Sequence, residues 1–225
     1  GSLVAMVHCN NCTSDLNAWI NLFKEYQELL GIPVDMNELY GKLYNHALTG
    51  DADCGGLISY NYISGEPVTG LADGRPLFVR SANDKFNLAN FMRTHLYASV
   101  GVLKIGNDIL FNEEKIKVDR ITGHGGLFKT KGVGQRILAA AINSPISVME
   151  TAGEGGAWGI ALLGSYLVYN EKKQSLTDFL EEKVFTGDAG IEVSPTAEDV
   201  AGFNTYIENY KSGLPVEEAA AQFKK

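Results

Sequence analysis

The sequence predicts a protein of the α/β class, with helices packed on a β-sheet. The unit strand, glycine-rich turn and helix occurs twice in the second half of the chain, and such alternation is typical of α/β proteins. With 225 residues, of which 45% are hydrophobic, the chain is long enough to bury a substantial core. The two units comprise the strands Lys117–Thr122 and Ile146–Glu150, the turns Gly123–Gly126 and Thr151–Gly156, and the helices Gly132–Asn143 and Ala157–Tyr169.

The first part of the chain predicts one strand and two helices. Leu3–Cys9 is a short apolar run of strand length, and a turn follows it. Asp15–Gly31 carries apolar residues at helical spacing. Thr13 or Ser14 is expected to cap this helix, because a hydroxyl can accept a free N–H group of the first turn. Asp35–Leu48 predicts the second helix.

The middle of the chain predicts short strands and then a long helix. Glycines punctuate Cys54–Arg80, which favours hairpin-like strands and loops. Phe86–Phe111 returns to helical periodicity, and we expect a break or bend near Gly101 or Gly106 because glycine weakens helices. No boundary between independent domains is predicted. Two further helices are expected in the tail, at Ser175–Phe185 and Thr196–Ser212.

Composition and charge exclude several classes of function. The net charge of −8 argues against a broad surface for nucleic acid or for a membrane, since neutralising phosphates needs clustered Lys and Arg. No apolar run approaches the roughly 20 residues that cross a bilayer. The first residues show neither the basic region nor the cleavage site of a secretory signal. Three cysteines suit no disulfide framework, so a reducing, cytoplasmic setting is predicted.

The segment Ile121–Gln135 has the layout of a phosphate-binding turn. A strand that leads into a glycine-rich turn and a helix directs backbone N–H groups and the positive helix end to one place. Lys129, Thr130 and Lys131 add charge and a hydroxyl. Neither the P-loop spacing nor a G-x-G-x-x-G pattern opens the helix here. The spacing therefore leaves two alternatives, a phosphate or nucleotide turn and a tight turn without a ligand.

The second copy, Glu150–Gly164, leaves similar alternatives. Gly153–Gly156 can line a nucleotide pocket or allow close packing, and spacing alone does not decide between them. For Gly159 and Ala161 we expect close packing of the helix on the sheet, since both residues are small.

Several stretches together resemble the C-terminal domain of the FGGY family of carbohydrate kinases, and xylulokinase-like members most closely. The likeness runs over nearly the whole chain, and its parts occur in the family's order. It implies the actin-like ATPase fold, in which two ribonuclease-H-like domains enclose ATP and a mixed sheet is flanked by helices. The stretches are TGHGGLFKT (122–130), ETAGEGGAWGIALLG (150–164), YISGE (62–66), the helix Phe86–Val102 and the ending Val193–Tyr210.

The resemblance implies roles for four residues. Gly125 and Gly126 match the glycines that contact ATP in the family. Thr130 lies where some members place a polar side chain against the adenosine, and Ser14 matches a position near the adenosine and phosphates. ATP and Mg²⁺ are the implied cofactors, and no metal ligand or catalytic residue is expected in this chain. Arg136 departs from the glutamine that many members carry.

The resemblance also implies that residues 1–225 are the nucleotide-binding part of a longer, two-domain kinase. The family's catalytic aspartate and sugar site belong to an N-terminal domain that these residues do not match, and the first strands of the second domain are unmatched too. We expect the full-length enzyme to transfer the γ-phosphate of ATP to a pentulose, converting D-xylulose to xylulose 5-phosphate. We expect the 225-residue chain alone to be inactive. The expected partner is a small-molecule sugar bound through the other domain, and a homodimer is common among relatives.

Two other functions fit parts of the sequence. An actin-like ATP-binding module or ATPase would use the same nucleotide turn without phosphorylating a sugar. Cys9 and Cys12 form a C-x-x-C motif ahead of a helix, as in thiol redox proteins, although incidental cysteines in a turn are the commoner case. A structural zinc site needs about four ligands, which the scattered Cys54 and histidines do not supply at motif spacing.

Overall fold

The computed structural model describes residues 4–149, 155–169, 173–186 and 190–223. Within these ranges the chain forms eight α-helices and five strands, which confirms the α/β class. The helices are α1 Ser14–Leu29, α2 Met36–Ala47, α3 Leu88–Asp108, α4 Val133–Ile142, α5 Gly155–Tyr169, α6 Leu176–Lys183, α7 Ala197–Ser212 and α8 Leu214–Ala221. The strands are β1 Ile58–Tyr60, β2 Leu77–Val79, β3 Ile121–Thr122, β4 Ile146–Val148 and β5 Ile191–Val193.

The described strands form two small sheets. β1 and β2 pair in antiparallel fashion, with Ile58 opposite Val79, as the hairpin-like pattern predicts. The second sheet has the order β3-β4-β5 and is mixed. β3 runs parallel to β4, with Ile121 opposite Ile146, whereas β5 runs antiparallel to β4. The parallel pair contains the glycine turn in its connection, which is where α/β proteins place their ligands.

The helices begin close to their predicted starts, and side-chain capping explains the starts of α2, α3, α6 and α7, with Asn87 as the cap of α3. The Asp35 carboxylate accepts from the backbone N–H groups of the first turn of α2. Ser175 and Thr196 accept in the same way at α6 and α7. Thr13 occupies the cap position of α1, but its hydroxyl makes no capping hydrogen bond.

The long helix was predicted to break or bend near Gly101 or Gly106, and the break is wrong. α3 runs without interruption through Gly101 and Gly106 and ends in a π-type turn at Ile109–Glu113. A Cβ atom built on Gly101 would lie 3.6 Å from the side chain of Ile207, and one built on Gly106 would meet the side chain of Val7. Close tertiary packing over these two positions overrides the weak helix propensity of glycine.

The predicted strand Leu3–Cys9 is also wrong in its described part, because residues 4–9 pair with no neighbouring strand. The strand predicted at Lys117–Thr122 contracts to its last two residues. Residues 150–154 lie outside the described ranges, so most of the predicted turn Thr151–Gly156 is not described. β5 and α8 are additional elements that the sequence pattern did not predict.

Helix α5 does not pack closely on a sheet, which contradicts the expectation for Gly159 and Ala161. A Cβ atom on Gly159 would meet nothing within 4 Å, and Ala161 is exposed. The helix instead contacts the region of α6 through Trp158 and Tyr166, whose rings lie 5.8 Å from Phe185 and 5.4 Å from Phe179. These aromatic contacts attach α5 to the rest of the protein, although no residue of α5 is fully buried.

The core is centred on α3, which contacts α2, α4 and β1. A buried ion-pair network joins α3 to α4 and α7. Arg93 on α3 places Nη2 2.6 Å from Oδ1 of Asp199, and Arg136 on α4 places Nε 2.6 Å from Oδ2 of the same carboxylate. Arg93 and Asp199 are each only 2% exposed. Arg136 is itself partly exposed, so it balances the buried charge of Asp199 from the edge of the core.

Among the described residues, no helix is both long enough and apolar enough to cross a membrane.

Candidate functional site

A cavity of about 530 Å³ lies where α1 and α2 face the turn between β3 and α4. Its volume falls in the range of about 300–1,000 Å³ that is usual for small-molecule sites. Its walls combine backbone, amide, hydroxyl, aromatic and ammonium groups. The lining residues are Thr13, Asn17, Asn37, Tyr40, Gly41, Tyr44, Gly126, Leu127, Lys129 and Thr130.

The glycine turn forms one wall of this cavity. Gly125 has φ +109° and precedes a 3₁₀ turn, Gly126–Phe128. A Cβ atom on Gly126 would meet nothing within 4 Å, so protein packing does not require glycine there. Gly123 and Gly134 differ, because a Cβ atom would lie 2.5 Å from the ring of Phe128 and 2.6 Å from the carbonyl oxygen of Leu127, respectively. Gly126 thus leaves space towards the cavity, whereas the other two serve packing.

The same wall has the electrostatics of an anion site. Lys129 and Thr130 line the cavity, and α4 begins directly after them. The cap residue of α4 is Gly132, with φ +81°, and no side chain caps the free N–H groups of the helix start. A lysine, a hydroxyl and a helix N-terminus favour phosphate groups. The lining residues include no carboxylate that would repel them.

The opposite wall is aromatic and amidic. Tyr40 Oη donates a hydrogen bond of 2.9 Å to Oδ1 of Asn17, which joins α2 to α1. The rings of Tyr40 and Tyr44 pack edge to face with their centroids 5.7 Å apart. Burial raises the pKa of both phenols, so both stay protonated at neutral pH. Such a wall suits a flat, weakly polar group such as a nucleobase, and the side chain of Asn37 adds a donor and an acceptor.

The structure brings two of the four residues named from the sequence onto the cavity wall. Gly126 and Thr130 both line it. Gly125 directly precedes the turn without lining the cavity. Ser14 is exposed at the first position of α1, and its neighbour Thr13 lines the cavity instead.

The residues of the aromatic wall are not among those that the sequence predicted for the site. Asn37, Tyr40 and Tyr44 recur at spacings of three and four residues and so share one face of α2. That spacing was a usable signal, because it places two tyrosines and an amide on one side of a helix. Asn17 carried no comparable signal.

The cysteine motif lacks the properties of a redox centre. Cys9, Cys12 and Cys54 are free thiols. Burial, helped by the charge of Glu66, raises the pKa of Cys9 to about 11. Redox cysteines instead have lowered pKa values, because the thiolate is the reactive form. The described ranges also contain no group of three or more His, Cys, Asp or Glu side chains that could hold a metal ion.

These features define a class: an α/β domain with an anion-accepting cavity at a glycine turn, bordered by an aromatic wall. The sequence matches the family model described as the C-terminal domain of the FGGY family of carbohydrate kinases over residues 1–168. The chain therefore belongs to the FGGY family of carbohydrate kinases. No curated protein sequence matches it at a significant level.

Solved structures of sugar kinases have the same fold. The xylulose kinase of Rhodospirillum rubrum superposes with a TM-score of 0.60 at 16% identity, covering 92% of this chain and 39% of that one. The glycerol kinase of Plasmodium falciparum with ADP superposes with a TM-score of 0.57 at 16% identity, covering 92% of this chain and 38% of that one. The gluconate kinase of Lactobacillus acidophilus superposes with a TM-score of 0.58 at 21% identity, covering 80% of this chain and 34% of that one. The chain spans little more than a third of the length of these structures, and the actin-like ATPase fold of such kinases accounts for its mixed α/β arrangement.

Proposed function

We propose that this chain binds ATP in the cavity between α1, α2 and the glycine turn, as the nucleotide-binding part of a carbohydrate kinase. The observation that carries the proposal is the pairing of two unlike walls in one cavity. The wall with Gly126, Lys129 and Thr130 receives the phosphates, and the wall with Tyr40 and Asn37 receives the base. Gly125 and Ser14 support the walls from adjacent positions.

Mg²⁺ does not fit this cavity as a metal bound by protein ligands, because the lining residues include no carboxylate. Mg²⁺ is commonly held by one or two carboxylates together with substrate phosphates. We assign any Mg²⁺ to the nucleotide, outside the contacts that these lining residues make. The work of this chain is then to bind and orient ATP, because phosphoryl transfer depends mainly on positioning and electrostatics.

For the whole protein we propose transfer of the γ-phosphate of ATP to a pentulose in the cytoplasm, with D-xylulose as the substrate and xylulose 5-phosphate as the product. The likeness to solved xylulose kinases supports this choice, and the gluconate and glycerol kinases with the same fold give the competing substrates. The sugar and the aspartate that activates its hydroxyl are assigned to a part of the kinase outside residues 1–225.

Replacing Gly126 with leucine is expected to weaken ATP binding at least about tenfold, or roughly 1.4 kcal/mol. The new side chain would occupy the open space beside the turn that we assign to the phosphates. The thermal midpoint should change little, because no protein atom occupies that space. Isothermal titration calorimetry with ATP measures the effect. Gly164→Leu is the matched control, since its Cβ would also meet nothing within 4 Å. Equal ATP affinity for Gly126→Leu and the unaltered chain would contradict the phosphate assignment.

The 225-residue chain is expected to bind ATP without phosphorylating D-xylulose, gluconate or glycerol. A coupled assay for ADP release, run with each sugar and without sugar, tests this. Sugar phosphorylation by the chain alone would overturn the assignment of the sugar site to another part of the kinase. ADP release at the same rate with and without sugar would support the alternative of an ATPase module.

A further inference from the structure

The segment that leads into α1 sets one edge of the cavity, yet local capping does not fix it. Thr13 lines the cavity, and its hydroxyl makes no capping bond to α1. Its carbonyl oxygen accepts from the N–H of Asn17, also a lining residue, at 2.9 Å. The position of residues 10–13 therefore depends on contacts from elsewhere in the chain.

Those contacts come from residues 61–66, about fifty positions away in sequence. The carboxylate of Glu66 accepts, through Oε2, from the N–H of Asn10 at 2.9 Å and from the N–H of Asn11 at 3.3 Å. The side chain of Asn11 makes three further bonds between the two segments: Nδ2 donates to Glu66 Oε2 (3.3 Å) and to the Ser64 carbonyl (3.1 Å), and Oδ1 accepts from the N–H of Ile63 (2.9 Å). Asn10 Nδ2 donates to the Gly65 carbonyl at 2.8 Å. Asn61 Nδ2 donates to the Cys12 carbonyl at 2.7 Å.

Three side chains in this cluster are buried. Glu66 is 0% exposed, Asn61 3% and Asn11 5%. Glu66 Oε1 and Asn61 Oδ1 have no hydrogen-bond donor within the described ranges. Burying an acceptor without a donor is costly, so the two unpaired oxygens offset part of the stability that the hydrogen bonds of this cluster contribute. What it achieves is geometric, since it holds two consecutive backbone N–H groups at one carboxylate oxygen.

We propose that Glu66 is a positioning residue of the nucleotide site. Its carboxylate fixes the backbone of Asn10 and Asn11, and this places Thr13 and Asn17 at the cavity edge. Glu66 itself does not line the cavity and acts through the segment that it holds. The inference rests on the proposed binding of ATP, and it adds the residue that shapes one edge of that site.

The experiment compares two buried carboxylates. Glu217 on α8 is also 0% exposed, accepts from the N–H of Arg75 at 2.6 Å through Oε1, and leaves Oε2 without a donor in the described chain. Neither Glu217 nor Arg75 lines the cavity. Glu66→Gln, Glu66→Leu, Glu217→Gln and Glu217→Leu are each titrated with ATP by calorimetry. Hydrogen exchange at the N–H groups of Asn10 and Asn11 is measured without nucleotide.

A graded result is expected at Glu66. Glutamine keeps a neutral acceptor, so ATP affinity should fall about threefold, whereas leucine removes the acceptor and should cost about tenfold or more. The Glu217 variants should lose stability and keep their ATP affinity within about twofold, because they leave residues 10–13 in place. Exchange at Asn10 and Asn11 should accelerate in Glu66→Gln, and this variant decides the question if Glu66→Leu does not fold.

Unchanged exchange at these two N–H groups in Glu66→Gln would overturn the inference. So would equal losses of ATP affinity at positions 66 and 217, which would reflect stability alone. Failure of the unaltered chain to bind ATP would instead overturn the proposed function. Faster exchange in Glu66→Gln would still support the positioning of the segment in that case.

Discussion

Replacing Asp199 with alanine is expected to lower the free energy of unfolding by about 3–5 kcal/mol. Asp199 is 2% exposed and pairs with Arg93, which is equally buried, and with Arg136. Without this carboxylate, the guanidinium of Arg93 would stay in the core with its charge uncompensated. Urea unfolding followed by tryptophan fluorescence measures the loss, because Trp19 packs against the core.

The partner Arg136 provides the control for this prediction. Its side chain is 37% exposed, so Arg136→Gln should cost roughly 1 kcal/mol or less, because water can replace part of the lost interaction. Equal losses in the two variants would contradict the importance of the buried Arg93. Burial alone would raise the pKa of Asp199, but hydrogen bonds from Arg136, Thr196 and Arg93 outweigh it and hold the pKa at about 2. This contribution to stability is therefore complete above about pH 4 and is lost as the pH falls towards 2.

Lowering the pH from 6.5 to 5 is expected to destabilise the protein by roughly 2 kcal/mol through His95 alone. His95 is 1% exposed, and burial lowers its pKa to about 3. Its Nδ1 forms a 2.9 Å hydrogen bond with Ser59 Oγ, and its Nε2 has no partner within the described chain. Below pH 6.5 His95 takes up a proton in the unfolded chain, whereas in the folded protein it stays neutral. The contribution of neutral His95 to the free energy of unfolding is thus fully present above about pH 6.5. It declines by roughly 1.4 kcal/mol per pH unit towards pH 3.

The titration of His95 can be isolated by mutation. His95→Gln should remove most of the decline between pH 6.5 and 5 in urea unfolding, whereas the exposed His46→Gln should leave the decline in place. Asp15 lies 3.7 Å from Nδ1 of His95 and opposes part of the effect, because burial raises its pKa and it takes up a proton earlier in the folded state. A steep decline that persists in His95→Gln would show that other groups cause it.

The fold could be predicted from the sequence where local chemistry decides it. α2, α6 and α7 start where Asp35, Ser175 and Thr196 accept from first-turn N–H groups, and that signal lies within a few residues. The strands were less predictable, because strand formation requires a partner. Leu3–Cys9 has strand composition, yet its described residues find no neighbour to pair with. The low helix propensity of Gly101 favours a break or bend, yet Gly101 lies within α3 where α7 packs on that helix.

The residues of the candidate site also fall into those that could be predicted from the sequence and those that could not. Gly126 and Thr130 could be named through the resemblance to the FGGY kinases, because the matching stretch is one contiguous motif between a strand and a helix. Asn17 and Tyr40 could not, because the packing of α1 and α2 brings them to that motif from distant parts of the chain. Glu66 is further removed, since its effect on the cavity passes through a segment that it only contacts in three dimensions.

Every residue of α3 from Ala89 to Val102 is buried, whereas α1 and α2 each bury one face. A helix enclosed on all sides cannot shift or rotate without losing packing in several directions at once, because protein interiors are close-packed. The helices that form the aromatic wall have no such restriction on their outer faces. If the cavity narrows around a bound molecule, the exposed outer faces of α1 and α2 leave those helices more room to move than α3 has.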